Sequence, residues 1–142
     1  MSDEILAPRL LLYHKQATSG RTRFLRFPHG MLGFAALPPL ASLREDEAAA
    51  PALRHHPAPW LQEAARRLDL PDTALRAEPA FHASVDTPAG DIGILLVEFL
   101  GIDPPFAAAE KLGGRFIAIT EARGCGDVEL QLLRRAYEVV LG

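Results

Sequence analysis

The sequence predicts an α+β domain, a largely antiparallel sheet with helices packed on one face and a long Pro/Ala-rich covering loop. Three observations carry that expectation. Strand-like segments come in pairs joined by turn residues, at 9–27 and at 75–100. Stretches with helical spacing of apolar residues lie between and after them. Apolar residues make up 49% of the chain but lean toward Ala and Leu, with only five Val and six Ile, which suits helix-covered sheet better than an all-β sandwich.

The 142 residues are the usual size of one domain, so 1–142 is read as a single unit with 28–58 as an irregular loop or insertion. A chain of this size buries roughly 70% of the surface its unfolded form exposes, enough for a core without staples.

Arg9–Lys15 and Thr22–Phe27 read as two strands, with Ala17–Gly20 supplying the small and polar residues of a hairpin loop. The stretch 28–58 contains Pro28, Pro38, Pro39, Pro51 and Pro57. Within it Ser42-Leu-Arg-Glu45 matches a capping box, predicting a short helix that Pro51 stops. A better helix starts at Pro59, where Leu61, Ala64, Ala65 and Leu68 share one face and Glu63 pairs with Arg67. Pro71 ends it.

Leu75–Val85 and Ile92–Leu100 predict an antiparallel hairpin across Asp86-Thr-Pro-Ala-Gly-Asp91. The second of these strands is apolar on both faces, which calls for cover on both sides. With helices on one face, the other is expected to meet the N-terminal segment, the long loop or a second copy of the chain. Asp103–Gly113 reads as a short helix with Asp103 as N-cap, Arg115–Thr120 as a strand, and Asp127–Leu141 as an amphipathic helix.

The formal charge of −3 argues against a nucleic-acid surface. The charge is uneven: residues 1–36 carry five basic and two acidic side chains, residues 78–142 five basic and ten acidic. An acidic half could face a basic protein partner, although a solvated pattern needs no addressee. One cysteine, Cys125, excludes an internal disulfide and a cysteine zinc cluster. The first thirty residues lack a secretory pattern, and the longest apolar stretch is far short of the ~20 residues of a membrane span. The expectation is a cytoplasmic protein that binds neither membrane nor nucleic acid.

The candidate ligand-binding residues are His82, Asp86, Glu98 and Arg123; no catalytic residue, metal ligand or cofactor is assigned. His82, Ser84 and Asp86 alternate onto one strand face, where polar groups could line a pocket or simply meet solvent. Glu98 interrupts an apolar face, a position where a carboxylate is either paired or shifted in pKa. Arg123 sits among glycines just before the last helix, a spot suited to an anion, although Asp127 as N-cap would oppose one. Neither G-x-G-x-x-G nor G-x-x-x-x-G-K-[ST] is present. The same helix start and Arg123 could lower the pKa of Cys125, but no His lies near it in sequence. His55 and His56 read as loop histidines, Trp60 as a packing residue. Arg21, Arg23 and Arg26 with Phe24 and Phe27 imitate a basic–aromatic RNA strand without an RNP-like sequence.

Two functions follow as expectations. The first is a small binding or assembly module, homodimeric through the doubly apolar strand, with a protein partner or a small anionic ligand. The alternative is a small-metabolite enzyme whose pocket lies near His82, Asp86 and Arg123.

Overall fold

The computed structural model of the protein describes residues 6–44 and 56–142. Its strands are β1 (Arg9–Lys15), β2 (Thr22–Arg26), β3 (Leu32–Gly33), β4 (Ser42–Leu43), β5 (Leu75–Ala77), β6 (Ala83–Thr87), β7 (Gly90–Phe99) and β8 (Arg115–Ile117). Its helices are α1 (Ala58–Leu68), α2 (Phe106–Lys111) and α3 (Asp127–Leu141). The fold is α+β, and the strands form one mixed sheet in the order β4-β6-β7-β1-β2-β8, with β3 on β1 and β5 on β7. Every described strand pair is antiparallel except β1 with β7, where Leu10 lies beside Leu95 and Leu12 beside Val97. None of the helices among the described residues is long and apolar enough to cross a membrane.

The helices divide between the two faces of the sheet, which corrects the expectation that they gather on one. Alternation along β1 sends Leu11 and Tyr13 one way and Leu10 and Leu12 the other. Leu132, Leu133 and Ala136 of α3 pack on the first side with Ile92, Ile94 and Leu96. Ala64, Ala65 and Leu68 of α1 and Ala108 and Ala109 of α2 cover the second, with Val97 and Phe99. A strand apolar on both faces needs both covered, and the chain supplies that cover itself. Each fully buried Leu in these layers contributes roughly 1.5–3 kcal/mol.

Four local differences have physical causes. The strand predicted over Leu75–Val85 is two strands, β5 and β6, both paired with β7; Pro79 cannot donate to a ladder, and Phe81 N–H turns back to the Glu78 carbonyl. Ser42 and Leu43 extend as β4 along β6 instead of opening a helix; the rest of that predicted helix lies outside the described residues. Asp103 does not cap α2, which starts three residues later, and accepts a hydrogen bond from Gln16 instead. Gly126 occupies the N-cap of α3, with Asp127 inside the first turn.

Candidate functional site

The break between β5 and β6 creates the concave surface. Ala80, Phe81 and His82 form one wall of a groove of about 320 Å³, and Arg135, Glu138 and Val139 of α3 form the other. Spacing of three and four residues puts those helical side chains on one face. Phe81 is buried and joins the core under the groove, while His82 and Glu138 are exposed at its rim.

Asp86 lies at the far end of β6, directly across from Asp91 on β7. Arg44, the residue after β4, reaches both: Nη1 donates to Asp86 Oδ1 at 2.8 Å and to Asp91 Oδ2 at 3.0 Å. A hydrogen bond between the two carboxyls pushes Asp91 above the usual carboxylate range and, with help from Arg44, holds Asp86 below it. The two carboxyls therefore part in acidity, with Asp91 the weaker acid and Asp86 the stronger. Arg135 Nη2 donates to the Arg44 carbonyl at 3.4 Å, so this cluster abuts the groove. Ser84, between His82 and Asp86 in sequence, is buried, and its hydroxyl has no hydrogen-bond partner among the described residues. Phe81, Ala83 and Val85 all join the α3-side core, in line with the expected alternation, while Ser84 is buried and His82 exposed on either side of Ala83.

Glu98 is ion-paired with Arg76 across β5 and β7. It stands beside buried Tyr13, whose phenol is pushed up to about 12 by burial and by the charges of Glu98 and Glu78, against the opposing Arg76. Arg123 lies before α3, whereas the groove takes Glu138 and Val139 from the helix's other end. From Asp127 to Glu138 the axis rises roughly 16 Å at 1.5 Å per residue. Of the four sequence-derived candidates, His82 alone lines the groove.

Cys125 is half-buried, and burial pushes its thiol up; Arg26 pulls the other way and Glu129 adds to the rise. The activating effect expected of the helix start and Arg123 does not prevail. His56 accepts a hydrogen bond from the Ala58 amide; His55 lies outside the described residues. Trp60 packs against the α1-side core. Phe24 and Phe27 are core residues and offer no face to a base. Among the described residues no group of three or more His, Cys, Asp or Glu side chains could hold a metal ion.

Sequence reasoning missed Arg44, Asp91, Arg135 and Glu138. Asp86 and Asp91 flank the turn symmetrically, a spacing that foretells a cross-strand pair once the hairpin is accepted. Arg135 and Glu138 fall within the amphipathic helix read over Asp127–Leu141, and amphipathicity does not single them out. No family model and no curated protein matches the chain.

Proposed function

We propose that this protein is a binding module whose groove takes a small anionic molecule that also carries a hydrogen-bond donor. The observation behind this reading is the convergence of His82, Arg135 and Glu138 around one concavity floored by Phe81 and Val139. Ligand sites combine such an apolar floor with a few polar groups that fix orientation. Arg135, which donates to the Arg44 carbonyl, brings a permanent positive charge to the groove wall. Glu138 repels a plain anion and accepts from an ammonium or hydroxyl, which narrows the class to amino or hydroxy acids. The test is a titration of labelled protein with a panel of small amino and hydroxy acids, read by amide shifts. Shifts confined to 80–82 and 135–139, and lost in His82→Ala, support the reading. Saturating panels that move no groove resonance end it.

The enzymatic alternative draws on one observation, the Arg44-bridged carboxyls Asp86 and Asp91, whose acidities are pushed apart as in acid–base pairs of many active sites. Arg123 stands apart from that pair, and Glu98 is engaged with Arg76. Homodimerisation through β7 loses its motivation, because α1 and α3 of the same chain cover its two faces.

A further inference from the structure

We propose that β4 is a releasable strap, clasped through Arg44 by Asp86 and Asp91, and that the clasp sets the position of Arg135 in the groove wall. The consequence for binding rests on the groove reading above; the strap itself does not.

Among the described residues β4 pairs with β6 at Ser42 and Leu43, and the Arg44 N–H donates to the Ser84 carbonyl at 3.0 Å. Ser42 is exposed and Leu43 half-buried, so Leu43 alone of the two strand residues packs on the core. Backbone hydrogen bonds of this kind net about 1 kcal/mol each. Among the described residues, Leu43 packs against the α3-side core and the side chain of Arg44 adds two ion pairs. Its guanidinium faces Asp86 from β6 and Asp91 from β7, and its carbonyl faces Arg135 from α3. Beyond Arg135 the charged or titratable side chains of the groove are His82 and Glu138. One residue therefore joins the sheet edge to the helix that walls the groove.

Two carboxylates directly opposite each other across a strand pair repel. Arg44 offsets that repulsion by standing between them, bonded to one oxygen of each. The first proton settles on Asp91, above the ordinary carboxylate range, and leaves the Arg44–Asp86 bridge in place. The second reaches Asp86 only below the ordinary range and removes the last charge that Arg44 holds. The strap thus tolerates loss of one acid and releases on loss of both.

The experiment is amide hydrogen exchange with side-chain NMR on the ligand-free protein, comparing wild type, Asp91→Asn and the double variant Asp86→Asn/Asp91→Asn. Asp91→Asn should leave the Leu43 and Arg44 amides within about twofold of wild type. The double variant should exchange at Arg44 at least tenfold faster and shift the Arg135 Nε–H resonance, with β1 and β7 still protected. Unchanged Arg44 exchange in the double variant overturns the proposal. So does faster exchange with Arg135 unmoved. If the double variant loses protection throughout the sheet, Arg44→Gln decides by the same two readouts. Because no ligand is added, the strap and the binding reading fail independently.

Discussion

Gly30 and Glu129 meet at a point no local pattern announces. Gly30 has φ +146°, and a Cβ there would lie 2.7 Å from both carboxylate oxygens of Glu129. Glu129 is buried on α3, and its Oε1 accepts the Met31 N–H at 3.0 Å. Gly30→Ala combines a strained backbone with displacement of that charge-assisted bond, and should cost about 3 kcal/mol. Urea unfolding measures it; a loss under 1 kcal/mol would mean that the carboxylate moves aside freely. Cys125 offers a second check. With its thiol raised, it should react with iodoacetamide more slowly than an unhindered thiol at pH 7.5, and alkylation should leave the melting curve intact. Tyr13 gives the pH sign. Its folded pKa lies above the unfolded value near 10, so its contribution is complete below pH 10 and fades as pH climbs toward about 12. Tyr13→Phe should flatten that decline in a series of melts. These residue-level contacts were hidden because Glu129 and Met31 stand 98 positions apart, and helix spacing names a face without naming what meets it.

Elements were more readable than contacts. β1 matches its predicted span, and α1 and α3 fall where apolar spacing, Pro59 and the late acidic turn put them. The i,i+4 pair of α1 is there, joined by Arg66, and the two guanidinium hydrogen bonds pull Glu63 down to about 2. What failed were the ends and breaks. β8 stops at Ile117 because Glu121 turns back to bond the Ala118 amide, making a single 3-10 turn where continued strand was expected. A capping-box match at Ser42 lost to an available sheet edge, since local propensity yields to tertiary pairing. On α3 the two faces should answer differently. Leu132→Ala removes a fully buried side chain and should cost about 2–5 kcal/mol, whereas Leu141→Ala, more than half exposed, should stay within about 0.5 kcal/mol. Equal effects would show that α3 does not pack as described.

At the scale of the whole molecule the informative fact is that both faces of β7 are filled from within the chain. The sequence made the double apolar face plain; it did not say which helix goes to which side, because amphipathicity is the same for either. Leu96 is 1% exposed against α3, and Leu95 is half-buried on the α1 side. Leu96→Asp buries an unpaired carboxylate and should remove more than about 4 kcal/mol, abolishing the cooperative melt. Leu95→Asp should weaken the fold less. A well-folded monomer from Leu96→Asp, seen by light scattering and circular dichroism, would instead restore β7 as an interface between copies.

The parallel seam between β1 and β7 sets a schedule for biosynthesis. Arg9 aligns with Ile94 and Tyr13 with Glu98, so the two strands are translated about 85 positions apart. At 5–20 residues per second the ribosome needs roughly 4–17 s to make the second after the first. For that interval Leu10, Leu11 and Leu12 leave the ribosome with one permanent neighbour still unmade. The nascent chain can close the β1–β2 hairpin early, but its sheet waits for nearly the whole polypeptide, and a chaperone that holds short leucine-rich segments would find its opportunity there.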